Sequence, residues 1–417
     1  MTASSESGFE TISACRSCGS AALETVLALG DQPLANSLVS PGPPPADEPR
    51  YPLTLAFCRS CSLAQILETI PPERLFSDYV YFSSFSDTML AHAKQSAAEL
   101  VADLGLGPGH LAVEIASNDG YQLQYFKRAG VPVLGIEPAA NIAVEAEKKG
   151  IPTRVEFFGA ELAKRLAAEG LQADVVLAFN VMAHVPDVNG FVAGLRCLLS
   201  DTGVAVIEAP HVAHLIEKFE FDTIYHEHVF YLAASALRPL FARHGLELFR
   251  VREISIHGGS LRLYVAPKGS RRVEQSVASL CDREAAAGLV SGEAYRDFAA
   301  RIPELRDETR ALIDRLLADG KRVAAYGAAA KGSTLLNYYG IGAERLEFVA
   351  DRSPHKQGKR MPGVHVPIRP AEFLAESRPD YCLLLTWNFA DEILAQQQSY
   401  RDAGGKFILP VPEPRIV

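Results

Sequence analysis

The sequence predicts an α/β protein with a metal-binding N-terminal domain and two domains of Rossmann-like architecture. Two Cys-x-x-Cys pairs lie near the beginning of the chain, Cys15 with Cys18 and Cys58 with Cys61. From residue 111 onward, segments of strand and helix character alternate, and a second alternation begins at residue 322. Alternation of this kind predicts parallel sheets covered by helices. At 417 residues the chain is also too long for one ordinary domain.

The two cysteine pairs predict a structural zinc site. Cys15, Cys18, Cys58 and Cys61 can supply four thiolates in a closed tetrahedral arrangement, which builds a domain and performs no chemistry. The 39 residues between the pairs are rich in turn formers, so this segment can fold back and bring the second pair to the first. The alternative is a pair of redox dithiols, or disulfides in a secreted protein.

The elements follow from hydrophobic periodicity and turn residues. The sequence predicts helices over residues 88–104, 121–128, 142–149, 190–199 and 238–244, and a helical connector over 271–317. It predicts strands over 111–115, 133–136, 175–178, 204–208, 322–326, 346–350 and 381–386, with a turn at 200–203. Residues 247–254 and 261–265 predict an antiparallel edge pair. We place the domains at 1–75, 76–268 and 269–417.

Bulk composition argues against two classes of partner. Hydrophobic residues make up 48% of the chain and charged residues 22%, which are globular values. The net charge is -9 and no long Lys/Arg run occurs, which disfavours nucleic acid and anionic membranes. No apolar run approaches the length of a membrane helix. These features predict a cytoplasmic protein with a small-molecule ligand.

The first αβ unit predicts a nucleoside-containing cofactor. The strand that contains Glu114 runs into a turn with Ala116, Asn118 and Gly120, and a helix follows directly. Such a turn lets a ligand approach the amides of a helix N-terminus. The next strand ends in Glu137, followed by Pro138, where a carboxylate can accept hydrogen bonds from ribose hydroxyls. This layout serves either a dinucleotide or S-adenosylmethionine.

The composition of the turn favours S-adenosylmethionine. Residues 114–120 lack the three glycines that let a pyrophosphate approach the helix, and S-adenosylmethionine carries no phosphate. Asn180 and His184 follow the fourth strand, where the sulfur of the methyl donor is expected. The central domain is therefore predicted to be a class I S-adenosylmethionine-dependent methyltransferase domain. The alternative is a purely structural turn of a doubly wound domain.

Several motifs together resemble one family. They are the paired cysteines and residues 31–36 (DQPLAN), 117–120 (SNDG), 224–230 (IYHEHVF) and 257–260 (HGGS). The chain resembles the nucleotide-sugar C-methyltransferases of antibiotic deoxysugar biosynthesis, which act on 4-keto sugars at C-3 or C-5. The resemblance implies three domains, a dTDP-linked substrate and a monomer. Members of this family usually have glycine where Ala116 stands, and a methyl group there can shift the bound methyl donor.

The resemblance implies catalytic roles for a cluster of proton-handling groups. Methylation of carbon beside a ketone needs a base, a donor for the enolate oxygen and an orienting carboxylate. We expect His228 to be the base, Tyr225 to be an alternative base or oxyanion donor, and Glu227 to orient one of them or bind a hydroxyl. His184 and Tyr79 would line the methyl-transfer path. His226 is expected to be a solvated loop residue, and a metal site over residues 225–228 is a weaker alternative.

The substrate is expected to lie against the C-terminal domain. A turn at residues 326–333 follows a strand and opens a helix, which makes Lys331 a candidate phosphate contact. Asn388, Ser83 and His257 are further candidate substrate contacts, and Trp387 can stack on a base. His257 can instead be structural. The alternative functions are an NAD-dependent sugar-nucleotide oxidoreductase, a non-catalytic zinc and S-adenosylmethionine scaffold, and an O- or N-methyltransferase.

Overall fold

The computed structural model describes residues 8–42, 45, 47–77, 82–256 and 259–417, and the strands among them form four sheets. The strands are β1 (Glu10–Thr11), β2 (Leu23–Pro33), β3 (Arg50–Cys58), β4 (Ala64–Ile66), β5 (Glu68–Thr69), β6 (Ala112–Ile115), β7 (Val133–Ile136), β8 (Thr153–Arg154), β9 (Ala173–Phe179), β10 (Leu199–Pro210), β11 (Phe230–Tyr231), β12 (Leu246–Ile254), β13 (Ser260–Pro267), β14 (Val323–Tyr326), β15 (Val349–Asp351), β16 (Ile368–Pro370), β17 (Tyr381–Leu384), β18 (Lys406–Leu409) and β19 (Arg415–Ile416). The helices are α1 (Pro72–Phe76), α2 (Asp87–Leu104), α3 (Leu123–Arg128), α4 (Ala140–Lys148), α5 (Ala160–Ala168), α6 (Val188–Leu198), α7 (Val212–Glu217), α8 (Ala234–Arg243), α9 (Gln275–Ala286), α10 (Glu293–Ala318), α11 (Ala330–Tyr339), α12 (Phe373–Ser377), α13 (Ala390–Gln396) and α14 (Gln398–Asp402).

The N-terminal region is built on an antiparallel sheet in the order β11-β4-β3-β2. Strand β3 alternates partly exposed and buried residues before it becomes continuously buried, as expected of a sheet with one face on a core. The fourth strand, β11, comes from much later in the chain, and its Phe230 and Tyr231 pair with Gln65 and Ala64. The segment after the methyltransferase strands therefore completes the sheet of the N-terminal region.

The central sheet has seven strands in the order β12-β13-β10-β9-β6-β7-β8. Strands β6 to β10 are parallel, and β13 is antiparallel to both of its neighbours, which confirms the predicted antiparallel edge pair. The turn predicted at residues 200–203 is wrong, because these residues belong to β10. An irregularity in register between Leu199 and Val204 accommodates the turn-forming residues inside the strand.

The third sheet also has a mostly parallel arrangement, with the order β16-β15-β14-β17-β18-β19. Its β14, β15, β16, β17 and β18 are parallel to their neighbours, and β19 closes the edge in the antiparallel sense. The predicted helical connector is two helices, α9 and α10, separated at residues 287–292. The predicted fold class, α/β with two Rossmann-like sheets, is confirmed.

Local signals set the ends of the helix that leads into the central sheet. Ser86 caps α2 by accepting a hydrogen bond from the amide of Met89, and Gly105 ends the helix in the left-handed conformation with φ 65°. Ala93, Ala97 and Leu100 recur at helical spacing and are buried. Across the described part of the chain, the helices are all too short or too polar to cross a bilayer.

Candidate active site and zinc centre

The four cysteines of the two Cys-x-x-Cys pairs, here called the two cysteine knuckles, converge on one point. The Sγ atoms of Cys15 and Cys61 lie 3.6 Å apart, as do those of Cys18 and Cys58, and all four lie within 4.8 Å of one another. Four thiolates around zinc at about 2.3 Å would stand about 3.8 Å apart in a tetrahedron, so the donor set fits zinc.

The surroundings of the cysteines also suit a structural metal. The buried Gln65 donates from Nε2 to Cys15 Sγ at 3.1 Å, a contact that stabilises a thiolate. The amides of Gly19 and Ser62 donate to the carbonyls of Cys15 and Cys58 and close the two tight turns. Zinc is therefore the resident metal, and its role is to hold these two turns together.

The turn after β6 is shaped for close approach of a ligand. Ala116, Asn118 and Gly120 have φ values of 53°, 50° and 72°, so three of five successive residues are left-handed. A left-handed alanine is unfavourable by roughly 1 kcal/mol relative to its ordinary conformation, which explains why the resembling family favours glycine at this position. Ala116 therefore holds a backbone conformation that glycine adopts more readily.

Two buried carboxylates stand beside this turn. Glu137 accepts from the amides of Asn118 and Ala139, each at 2.9 Å, and burial raises its pKa. Glu114 Oε2 is buried and has no hydrogen-bond partner among the described residues. Burial, followed by the charges of Glu137 and Asp119, raises the pKa of Glu114. A cationic ligand with hydroxyl groups would supply the missing partners, and S-adenosylmethionine carries both features.

A short segment is fastened over the cofactor turn. The amide of Ser83 donates to Asn118 Oδ1 at 2.9 Å, so Ser83 lies against the cofactor turn. Lys149 Nζ donates to Ser84 Oγ and to the carbonyl of Asp119, each at 2.8 Å. Of the predicted site residues, Tyr79 and His257 lie outside the described residues.

Tyr225 and His228 form a directed pair. His228 Nδ1 lies 2.9 Å from the carbonyl of Thr223, and a carbonyl only accepts, so Nδ1 carries the proton. In the neutral ring Nε2 is then the acceptor, and it lies 3.1 Å from the hydroxyl of Tyr225. Tyr225 therefore donates to His228, and the loop backbone fixes the tautomer in which Nε2 can accept a proton.

His184 completes one side of this pair. Its ring centroid lies 4.8 Å from that of His228, at an interplanar angle of 61°. Burial lowers the pKa of His184 to about 4, so the ring is neutral at physiological pH. Its Nδ1 is buried and has no hydrogen-bond partner within the described part of the chain. Asn180, four residues before His184, has a left-handed backbone conformation. Its backbone N–H donates to the carbonyl of Glu208 at 2.7 Å.

Glu227 and His226 point toward the N-terminal region. Glu227 Oε1 accepts from Asn36 Nδ2 at 2.7 Å, and burial raises the pKa of Glu227 to about 7 against the opposing effect of that bond. His226 is not a solvated loop residue as expected, because only 1% of it is exposed. Its Nε2 donates to the carbonyl of Pro52 at 2.9 Å. This partner lies 174 residues earlier, and no pattern near His226 indicates it.

Lys331 lies in a buried cluster that the sequence only partly indicated. Its Nζ lies 4.0 Å from the centroid of Trp387 and donates to Asn388 Oδ1. Burial lowers the pKa of Lys331 to about 8, against the charges of Asp222 and Glu220. Sequence reasoning missed these two carboxylates, and the only available signal was their acidity next to the catalytic motif.

The two carboxylates near Lys331 are both perturbed. Burial raises the pKa of Asp222 to about 6 and that of Glu220 to about 7. The indole nitrogen of Trp387 donates to Asp222 Oδ2 at 2.8 Å, so Trp387 links the C-terminal domain to the segment that leads into Tyr225.

Asp351 accepts hydrogen bonds around the glycine turn of the C-terminal domain, which contains Gly327. Asp351 accepts from the amides of Ala328 and Ser353 at 2.7 and 2.8 Å. Gly327 has φ 96°, and a Cβ there would lie 2.4 Å from Thr386 Oγ1. Asp351 thus holds the loops around this turn.

Three family models cover most of the chain. Residues 15–76 match a zinc binding domain, residues 89–251 a methyltransferase domain, and residues 255–412 a C-methyltransferase C-terminal domain. C-methyltransferase NovU from Streptomyces niveus is 36% identical over 407 residues, which are 97% of this chain and 97% of that protein. The chain belongs to the C-methyltransferase family. It is an S-adenosylmethionine-dependent methyltransferase with a structural zinc, and the oxidoreductase and scaffold alternatives are not supported.

Solved structures also resemble part of this C-methyltransferase. Magnesium protoporphyrin IX methyltransferase from Synechocystis PCC 6803, with bound SAM, is 16% identical and has a TM-score of 0.33, with 47% of this chain and 89% of that chain covered. The PH0226 protein from Pyrococcus horikoshii OT3 is 14% identical, has a TM-score of 0.37 and covers 47% of this chain and 98% of that chain.

Proposed function

We propose that this C-methyltransferase methylates the carbon next to the ketone of a dTDP-4-keto-deoxysugar, at C-3 in preference to C-5. The observation that carries the proposal is the pair formed by Tyr225 and His228, in which the Thr223 carbonyl holds Nδ1 and Nε2 faces the Tyr225 hydroxyl. The ketone acidifies a hydrogen on the neighbouring carbon, so a positioned histidine base can remove it. The resemblance of the sequence motifs to deoxysugar C-methyltransferases supports the same substrate class.

The proton step follows from the tautomer. The base removes the hydrogen next to the ketone, the electron pair of that bond moves toward the ketone oxygen, and the proton goes to His228 Nε2. The Thr223 carbonyl holds the opposite nitrogen and stabilises the ring as it becomes positively charged. Before this transfer the Tyr225 hydroxyl must turn away from Nε2, and it can then donate to the enolate oxygen as that oxygen becomes negative.

The cofactor-binding residues are assigned from the hydrogen-bonding groups and the backbone shape of the turn after β6. Bound S-adenosylmethionine supplies an electrophilic methyl group on a sulfonium sulfur. Glu114 and Glu137 provide acceptors for its ammonium and ribose hydroxyls. Asn118, Gly120 and Asn180 shape the backbone around it, since all three are left-handed. Ala116 and Pro138 complete the wall of this site.

The remaining assignments concern the substrate and the molecule as a whole. In the proposal, Lys331 and Asn388 hold the diphosphate end of the sugar nucleotide, while Ser83 and His257 contact the sugar. His184 and Tyr79 line the path of methyl transfer. The three domains are proposed at 1–75, 76–268 and 269–417. The enzyme is proposed to act as a cytoplasmic monomer that binds no nucleic acid, in line with its net charge of -9.

The substrate assignment is tested with isotopically labelled methyl donor. The purified zinc-loaded enzyme is incubated with methyl-labelled S-adenosylmethionine and a dTDP-4-keto-deoxysugar, and NMR locates the label. We expect the label on C-3. A label on oxygen or nitrogen would replace the proposal with a heteroatom methyltransferase, and a label on C-5 would correct the position.

The proton step is tested without methyl transfer. Wild-type enzyme is expected to exchange the hydrogen beside the ketone with solvent deuterium in the absence of methyl donor. His228→Asn keeps a polar side chain without a basic nitrogen and should lower exchange by about a hundredfold or more. Tyr225→Phe should retain binding and lose exchange in part. Exchange at the wild-type rate in both variants would refute the assigned base.

A further inference from the structure

Residues 35 and 36 lie where three parts of the molecule meet. Asn36 Nδ2 donates to Glu227 Oε1 at 2.7 Å, and the preceding carbonyl, that of Ala35, accepts from Ser333 Oγ at 2.8 Å. Ala35 is 5% exposed and Ser333 is 1% exposed, so the junction is closed to solvent. One short segment after β2 thus contacts both the catalytic loop and helix α11 of the C-terminal domain.

The same region anchors the catalytic loop twice. His226, next to Glu227, donates to the carbonyl of Pro52, and Pro52 pairs with Asp31 near the end of β2. Leu34 packs with Tyr51 and Ile70 in a small cluster of their own. Asn36 therefore extends from a supported segment, and its position relative to Glu227 is set by the zinc-bearing domain.

We propose that Asn36 is a positioning residue of the methyl-transfer site, which acts by holding the carboxylate of Glu227 so that its other oxygen receives a substrate hydroxyl. The inference rests on the proposed sugar substrate and deepens it, because it assigns a hydroxyl-binding group that the zinc domain orients. Asn36 donates through one of its two N–H bonds, and an ionised Glu227 keeps several lone pairs for a second donor. A structural zinc then contributes to catalysis without contacting the reactants.

The charge of Glu227 depends on this contact. Burial favours the neutral acid, while the Asn36 amide favours the carboxylate, and the pKa of Glu227 is about 7 as a result. Its titratable neighbours along the same loop are Tyr225, His226 and His228, and His184 interacts with the backbone of Glu227. Burial and the Asn36 amide are the two influences on the pKa of Glu227. Removal of the amide leaves burial unopposed, so the acid form would persist to higher pH.

The test compares three variants of the full zinc-loaded chain. Asn36→Ala removes the donor, and Asn36→Asp preserves the size of the side chain while it replaces the donor with a second acid. Asn189→Ala is the matched control, because Asn189 also joins the N-terminal region to the central domain, through the carbonyls of Arg16 and Ser17, but makes its hydrogen bonds elsewhere.

The first readout is the titration of Glu227 itself. Difference infrared spectra of the carboxyl stretch are recorded against pH, and Glu227→Gln identifies the band. In both Asn36 variants we expect the midpoint to rise by about one pH unit or more, as loss of a hydrogen bond to a charged group requires. Asn189→Ala should keep the wild-type midpoint. A midpoint unchanged by Asn36→Ala and Asn36→Asp would overturn the proposal.

The second readout is kinetic. Loss of a charge-assisted hydrogen bond should lower kcat/KM for the sugar about ten- to a hundredfold, and the acidic limb of the pH profile should move upward with the infrared midpoint. Equal loss at every pH would indicate a merely structural role and count against the proposal. If wild-type enzyme methylates no keto sugar while the infrared midpoint still moves, the substrate assignment fails and the Asn36–Glu227 coupling stands.

Discussion

Asp222 offers a test of the electrostatics beneath the catalytic loop. It is fully buried, and only one oxygen has a partner among the described residues, the indole N–H of Trp387 at 2.8 Å. Asp222→Asn keeps the shape and retains an oxygen that accepts from Trp387, but it removes the negative charge. The variant therefore isolates the free energy of burying that charge.

The magnitude follows from the shifted pKa. Burial raises the pKa of Asp222 from an ordinary 3.8 to about 6 in spite of the nearby Lys331. A raised pKa means that the folded protein binds this proton more tightly than the unfolded chain does. The bound proton of Asp222 therefore stabilises the folded protein. This contribution is complete below about pH 4 and is lost as the pH rises through about 6. At pH 8 the ionised carboxylate disfavours folding by about 3 kcal/mol, and at pH 5 by about 1.6 kcal/mol.

The assay uses the only tryptophan of the chain, Trp387, which touches the substituted residue. Denaturant unfolding followed by tryptophan fluorescence gives the free energy of unfolding of wild type and Asp222→Asn at pH 5 and pH 8. The free energy of unfolding of the variant should rise relative to that of wild type as the pH rises. The difference between the two should increase by about 1.4 kcal/mol from pH 5 to pH 8. A gap that is constant with pH would refute the reasoning, since a constant offset measures only the exchange of one polar group for another.

Two further perturbations probe the zinc centre and the cofactor turn. Cys58→Ser should abolish zinc binding and weaken capture of the sugar nucleotide, while calorimetry should show unchanged affinity for S-adenosylmethionine; equal loss of both affinities would contradict this separation. Gly135→Ala should reduce S-adenosylmethionine affinity and stability by about 1–3 kcal/mol, because a Cβ there would lie 2.5 Å from Ser117 Oγ in the cofactor turn. Gly107→Ala, where a Cβ meets nothing within 4 Å, is its control and should leave donor affinity unchanged.

The sequence was sufficient for those features that depend on short-range patterns. The apolar run from Val175 to Ala178 could only be a buried strand or helix, and its place in the alternation decided for the strand. The knuckles followed from the spacing of cysteines, since each pair needs one tight turn. Residues 200–203 show the limit of such rules, because these four turn-forming residues lie inside β10, at the register shift between the paired residues Leu199 and Val204.

Contacts between distant segments could not be read in this way. His226 looked like an exposed loop residue because its partner, the Pro52 carbonyl, is a backbone group that every sequence contains. Asn36 was part of a recognised motif, but nothing local indicates that its amide meets Glu227, 191 residues away. Asp222 was overlooked for a related reason, since burial in the folded protein raises its pKa and its hydrogen-bond partner, Trp387, lies 165 residues later in the chain.

The pairing of β11 with β4 imposes an order on the assembly of this enzyme. A chain emerging from the ribosome presents both cysteine knuckles early, but Phe230 and Tyr231, which supply the outer strand of the first sheet, are made some 170 residues after Cys61. Until then the backbone groups of β4 that face β11 lack their partner strand. Metal binding can therefore precede completion of the sheet. A fragment that stops after the second cysteine pair and β4 is expected to expose β4 as an unpaired edge strand and to self-associate.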